Sequence, residues 1–228
     1  MKEFNLFEDK VGVTFKDKDL LQLAFTHRSF VNENRQFNAH NERLEFLGDA
    51  VLELVVTEYL FEQFPDKAEG ELTAVRAALV NTQSISKAAK ELDMNDYLLL
   101  SKGEEKDTGR ARQYILANTF EAFIGALHLD QGYAAAQKFI ANALFSKVQA
   151  IVDDKLWQDA KSKLQEEAQE HMSITPNYQI ISEGGPDHNK VFTIAVMFDG
   201  VEIAQGIGNS KQDAEQVAAQ NAIEVNGW

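Results

Sequence analysis

Over roughly the first 150 residues the apolar side chains recur at helical spacing, and no sustained two-residue alternation interrupts them. Leu20, Leu21, Leu23 and Ala24 form one such face; Leu44, Leu47, Val51, Leu54 and Val55 a second; Leu116, Phe120, Phe123, Ile124 and Leu127 a third. Pro65 with Gly70, Gly103 with Gly109, and Gly132 mark the connections. The pattern predicts an all-helical domain over residues 1–150. The mixed-charge stretch that follows predicts a linker, placed at residues 151–157. Beyond it the texture changes, because six of the thirteen glycines and two of the three prolines fall in the last 71 residues. Asp159 to Met172 is amphipathic through Leu164 and Ala168, and Tyr178 to Ile181 is a short strand candidate. Phe192, Ile194, Val196 and Phe198 alternate with Thr193, Ala195 and Met197. Asp199-Gly200 predicts a turn into a further strand, Val201 to Ile207. Ser210, three residues before Asp213, predicts the start of a last helix. The expected fold class is therefore multidomain, all-α followed by a small α-β-β-β-α domain over residues 158–228.

Composition narrows the picture. The 228 residues are 44% apolar and 25% charged, which is globular and too apolar for a disordered acidic chain. Zero cysteines exclude disulfides and thiolate metal sites. The start MKEFNLFEDK does not read as a signal peptide, and AVLELVVTEYLF is broken by Glu53 and Glu58 before membrane-spanning length. A cytoplasmic protein without a membrane partner is expected. The formal net charge of −14 argues against nucleic acid as a first guess, since polyanion binders usually carry a basic excess.

The segment Asn41 to Leu54, NERLEFLGDAVLEL, holds the most chemistry. At about 100° per residue Glu42, Glu45, Asp49 and Glu53 share one narrow arc. Like charges at that spacing repel, and no Lys or Arg in the stripe relieves them. A second helix, ILANTFEAFIGAL, puts Asn118 and Glu121 on one face, away from Phe120, Phe123, Ile124 and Leu127. Oxygen donors on neighbouring helices suit a hard divalent cation such as Mg²⁺. The stripe has a plainer reading as well: Asn41 is a good N-cap, acids in a first turn are favoured by the helix dipole, and an acidic stripe is often a solvated face.

NERLEFLGDAVLEL closely resembles the signature of bacterial ribonuclease III, and the neighbours agree in order along the chain. Thr26-His27-Arg28-Ser29 resembles that family's THRS segment, and Glu69 to Thr73 with Arg76, Leu79, Val80 and Asn81 resembles its EGxLTxxRAxLVN stretch. Gly103-Glu104-Glu105 and Gly109-Arg110 are similar to the loop before the second acidic helix. LQEEAQE, GPDHNKVF and SKQDAEQVAA resemble its double-stranded RNA-binding domain.

The resemblance implies a Mg²⁺-dependent endoribonuclease, with Mn²⁺ as a substitute, that cuts double-stranded RNA to leave 5′-phosphate and 3′-hydroxyl ends in the processing of ribosomal RNA precursors and other structured transcripts. Glu45, Asp49 and Glu121 match the family's metal-site acids, with Asp49 and Glu121 in catalytic roles. Glu42 and Glu69 match acids at the edge of its catalytic valley, and Glu53, without a counterpart, is expected to be solvated. Asn118 stands where the family usually has Asp. An amide carbonyl still coordinates Mg²⁺, but it brings no charge and cannot act as a base. The expectation is an active enzyme with a raised Mg²⁺ requirement; the rival is a silent double-stranded RNA-binding protein. A helical scaffold that offers its acidic face to a basic partner would leave the C-terminal domain unused.

A homodimer is implied through Phe46, which lies on the flank of the stripe and otherwise packs within its own domain. Gln165, Glu166 and Gln169 on the first helix of the small domain, the loop His188, Asn189 and Lys190, and Lys211 with Gln212 match the family's RNA contacts. A solvated face and an ordinary turn are their plain alternatives. Thr26, His27 and Arg28 add possible contacts, His27 being equally a structural histidine. From residue 158 onward eleven acids face four lysines and no arginine. Weak RNA binding with a shallow salt dependence is therefore expected.

Overall fold

Helical periodicity gives way to strand alternation at about the expected point in the computed structural model, which describes residues 2–106, 108–153, 160–186 and 190–228. The chain forms two units, Met1–Trp157 and Gln158–Trp228.

In the first unit the elements are α1 (Phe4–Val11), α2 (Lys18–Ala24), α3 (Arg28–Glu33), α4 (Glu42–Gln63), α5 (Glu69–Val80), α6 (Thr82–Glu91), α7 (Arg110–Gln131), α8 (Tyr133–Leu144) and α9 (Val148–Asp153). Helix α7 is the axis of this unit. Its Leu116, Phe120, Phe123, Ile124 and Leu127 are all fully buried, and α2, α4, α6 and α8 pack around it. A helix apolar on nearly every side belongs inside a core. Phe123 meets Phe7 edge-on at 5.3 Å, and Phe7 meets Phe25 in the same way at 5.0 Å, so α1 and the end of α2 are fastened to α7 by aromatic contacts.

The closest approach is between α4 and α7, and two glycines permit it. A Cβ placed on Gly48 would lie 1.7 Å from the carbonyl oxygen of Glu121, and one on Gly125 would lie 2.2 Å from that of Leu44. Backbone therefore rests on backbone at the crossing. Glu45 and Asp49 flank Gly48, and Glu121 is itself the residue it touches, so the same contact that joins the helices brings their acids together.

The second unit runs α10 (Ala160–Met172), β1 (Asn177–Gly184), β2 (Val191–Phe198), β3 (Val201–Gly208) and α11 (Lys211–Asn226). The strands form an antiparallel sheet in the order β1-β2-β3. Asp199 and Gly200 both have positive φ, 48° and 85°, as a two-residue hairpin turn of the primed type requires. The Ser210 side chain accepts from the Asp213 amide and starts α11. Small residues again set the packing: a Cβ on Gly206 would meet the Ala218 nitrogen at 2.1 Å, so α11 lies directly on β3. Leu164 and Ala168 of α10 close the core with Val196, Phe198, Ala222 and Ile223.

Four local expectations change. Leu54, expected in the core, is 50% exposed, because α4 turns Val51, Leu52, Val55 and Val56 inward instead. Asn41 does not cap α4 with its side chain; its amide donates to the Ala24 carbonyl at 3.1 Å and ties α4 to the end of α2. The segment expected as linker begins inside α9, which continues to Asp153, while residues 154–157 lie outside the described residues. Strand β1 is longer than expected, since a register shift between Ile180 and Ser182 disturbs the alternation that would have revealed it. Among the described residues no helix is long and apolar enough to cross a membrane.

Candidate functional site

Helix α4 presents Glu45 and Asp49 beside Gly48, and α7 presents Glu121 with Asn118 one turn earlier. Asn118 and Glu121 are half-buried on a helix that is otherwise enclosed over this stretch. Burial pushes the Glu121 carboxyl up to about 8, helped by the charges of Asp49, Glu45 and Glu53. Burial likewise raises Glu45, with Glu42 and Asp49 adding to it. Acids from both helices thus act on one another across the crossing. Glu121 takes up a proton on folding at neutral pH, since its carboxyl titrates near 8 in the folded chain and near 4.5 when exposed. The sign follows: the metal-free fold loses stability as pH rises from about 4.5 to about 8. A cation placed among these oxygens removes the conflict.

The donor set is carboxylate and amide oxygen, which fits a hard divalent cation. Among the described residues no three carboxylate or imidazole groups converge tightly enough to hold an ion by themselves.

Glu42 and Glu69 stand at the margins. Glu42 opens α4 and pairs with Arg28 at 3.6 Å. Glu69 opens α5 and accepts from the Thr73 hydroxyl at 3.1 Å; its charge is not among those acting on Glu45 or Glu121. Glu53, expected to be solvated, is instead paired with Arg76 of α5, Nε to Oε2 at 2.8 Å. The stripe therefore has a basic neighbour after all, supplied by another helix and invisible to a reading of α4 alone. His27 caps α3: its Nδ1 accepts from the Ser29 amide and faces the Ser29 hydroxyl, and burial lowers its pKa. This is the structural alternative for His27.

Phe46 is 81% exposed, so it does not pack within its own domain. The ring forms part of the wall of a hollow of about 710 Å³, together with Leu20, Leu23, Leu44, Leu47 and Leu129 and with His40, Glu42 and Arg43. Ring and hollow share one face.

In the second unit Gln165, Glu166 and Gln169 are exposed along α10, and Lys211 and Gln212 open α11. Gln165, Lys211 and Gln212 line one polar cleft of about 680 Å³ with Lys161 and Glu215. Lys161 is engaged there by Glu215 at 2.6 Å. Lys190 pairs with Glu183 at 2.9 Å, while His188 and Asn189 lie outside the described residues.

Residues 17–148 match the ribonuclease-III-like family and residues 160–226 match the double-stranded RNA binding motif. Proteins named Ribonuclease 3 are similar over almost the whole chain. That of Geobacillus thermodenitrificans is 48% identical over 98% of this chain and 91% of its own length. That of Streptococcus gordonii is 46% identical over 96% and 95%. Among solved structures, the nuclease domain of ribonuclease III from Campylobacter jejuni, described for structural flexibility in a region involved in dimer formation, is 45% identical. It covers 62% of this chain and 95% of its own, with a TM-score of 0.57.

Proposed function

This chain belongs to the ribonuclease III family, and from that membership we propose how a double-stranded RNA endoribonuclease is assembled from its residues. Glu45, Asp49 and Glu121 hold Mg²⁺, with Mn²⁺ as a substitute, and Asn118 adds a carbonyl oxygen. The observation that carries this reading is the meeting of acids at the Gly48–Gly125 crossing, where burial first and the charges of Asp49, Glu45 and Glu53 after it push the Glu121 carboxyl up to about 8. When bound, such an ion lowers the pKa of a water and offsets the negative charge that builds on the phosphate oxygens. The chain's own part is positional. Helix α7 is held by the helices packed around it, so Glu121 and Asn118 are presented from a fixed backbone, and the acids of the crossing repel a phosphodiester until they are neutralised.

Hydrolysis then leaves 5′-phosphate and 3′-hydroxyl ends. Structured transcripts, including ribosomal RNA precursors, in the cytoplasm are the proposed substrates. A long perfect duplex should be shortened in Mg²⁺, while either strand alone survives; survival of the duplex under the same conditions contradicts the reading. The amide at 118 favours one alternative, a silent duplex-binding protein. Duplex cleavage by the unsubstituted chain separates the two, and Asn118→Asp tests the role of residue 118. The substitution should lower the Mg²⁺ concentration at half-maximal cleavage by about tenfold, equivalent to ~1.4 kcal/mol; an unchanged or higher midpoint argues that residue 118 is not a ligand.

We further assign the Phe46 face to a homodimer in which each ring enters the hollow beside its counterpart. An exposed aromatic next to an apolar cavity on one surface is self-complementary, as a twofold interface demands. Phe46→Ala should weaken the dimer by about 30-fold or more, the scale of an aromatic anchor worth ~2 kcal/mol. Sedimentation at micromolar concentration reads the result, and an unaltered dimer there removes Phe46 from the interface. For the small unit, the cleft between α10 and α11 is the proposed duplex contact. Its Gln165, Lys211 and Gln212, with the neighbouring Glu166 and Gln169, suit readout of A-form shape and 2′-hydroxyls more than strong phosphate attraction.

A further inference from the structure

The acidic stripe ends at Glu53, where Arg76 meets it, and the metal-site reading gives that arginine no role. Arg76 reaches from α5 to place Nε 2.8 Å from Glu53 and Nη1 2.8 Å from the Thr57 hydroxyl. The guanidinium is neither buried nor loose: its side chain is 32% exposed, and it forms a wall of a cavity of about 420 Å³ with Thr57, Phe61, Lys67, Glu69 and Thr73. Lys67, the other basic group in that wall, is already paired with Glu71 at 2.8 Å.

Two features set this pair apart from an ordinary surface ion pair. The first is its place. Glu53 lies four residues beyond Asp49 on α4, one helical turn or about 6 Å along the axis. That step is comparable with the few ångströms by which successive phosphates advance along a duplex strand. The second is its geometry. A guanidinium is a planar fork of donors suited to phosphate, and its contacts with Glu53 and Thr57 fix the orientation of that plane. A cation at the end of an otherwise repulsive stripe is where a polyanion can first be held.

We propose that Arg76 is a substrate-binding residue whose part-exposed guanidinium takes a backbone phosphate of the RNA strand adjacent to the one being cut, with Glu53 and Thr57 as its positioning residues. This rests on the duplex-cleaving reading of the acidic crossing and adds to it a contact that fixes the strand's register over the acids. Screening of Glu53 alone would make the pair structural, and the variants separate the two roles.

The test is the affinity of the full chain for a perfect RNA duplex in Ca²⁺ over a range of KCl concentrations, for the parent, Arg76→Met, Arg76→Lys and Glu53→Gln. One phosphate contact accounts for roughly 0.9 in the slope of log affinity against log salt, by analogy with B-form duplexes. Arg76→Met should lower the slope by about that amount and weaken binding about tenfold near 0.1 M salt. Arg76→Lys and Glu53→Gln, which keep the cation, should hold the parental slope. Equal weakening by Arg76→Met and Glu53→Gln with unchanged slopes overturns the proposal, as does parental behaviour of Arg76→Met. Thermal melting of each variant shows that it is folded, and if Arg76→Met does not fold, Arg76→Gln takes its place. Failure of the unsubstituted chain to bind or cut the duplex overturns the underlying reading, and the inference with it, and that failure is recognisable because it needs no substitution.

Discussion

Gly48→Ala should unfold the first unit at a temperature about 10 °C or more below the parent. The added Cβ would lie 1.7 Å from the Glu121 carbonyl oxygen, 2.6 Å from its carbonyl carbon and 2.8 Å from the Gly125 nitrogen. None of these atoms belongs to a side chain that can swing aside. Relief requires α4 and α7 to separate by more than an ångström, and these two helices share the largest contact in the unit. Overpacking a core usually costs 1–3 kcal/mol, and a backbone-on-backbone clash falls at or above the top of that range. At roughly 2–4 °C per kcal/mol for a chain of this size, the shift is large. Gly70→Ala is the control: it sits in α5 with nothing within 4 Å of a new Cβ, and it should be neutral or slightly stabilising. Calorimetry on the full chain reads both. Parental melting of Gly48→Ala would mean that the helices do not approach as described. Even where the variant folds, a parted crossing moves Glu121 away from Asp49, so cleavage should fall further than stability alone explains.

Glu121→Gln should lower cleavage of a duplex at pH 7.5 in Mg²⁺ by at least about 10²-fold, the scale of losing one preorganised electrostatic contact. Duplex affinity should change little, because the contacts of the second unit are untouched. The same variant tests the electrostatics without any reaction. With Glu121 neutralised, the component of stability that is lost as pH rises from about 4.5 to about 8 disappears. In chelator, the variant should therefore melt above the parent at pH 8.5 and close to it at pH 5. A parent that melts equally well at both values, relative to the variant, would show that the carboxyl is not held up by burial and its neighbours.

Much of this arrangement could be read along the chain, and the exceptions share a cause. The acidic stripe, the face of Asn118 and Glu121, the Asp199-Gly200 turn and the Ser210 cap are local patterns, set by residues three or four apart or by a single turn's backbone demands. Gly48 and Gly125 escaped because a glycine within a helix reads as a weak helix former; its reason lies on another helix 77 positions away. A signal was present at Gly125, which sits in an uninterrupted apolar helical run, whereas Asp49 directly after Gly48 gives that position the look of a turn. Arg76 escaped in the same way. The stripe on α4 contains no base, and only the packing of α5 brings one to Glu53. Leu54 was misplaced because an arc drawn opposite the acids assumes one buried face, whereas α4 buries a face rotated toward Leu52 and Val56 and leaves Phe46, Leu54 and Phe61 outward. That outward row is itself informative, as apolar groups at such spacing call for a partner surface.

The net charge of −14 also has a different meaning once the site is in place. In the first unit, acids at the crossing are compatible with RNA when a cation neutralises them. In the second, Glu215 engages Lys161 in the cleft assigned to the duplex, so the domain's own acids occupy part of its small supply of lysines. Light binding by the small unit would leave registration of the strand to the nuclease unit, where Arg76 stands.

The most direct measurement is a single-turnover titration of Mg²⁺ against cleavage of one long RNA duplex, with the parent and Glu121→Gln in parallel. The account predicts a saturable Mg²⁺ dependence in the parent and a rate lower by at least about 10²-fold in the variant at every concentration. Equal rates in the two proteins, or parental cleavage that persists in chelator, would contradict it.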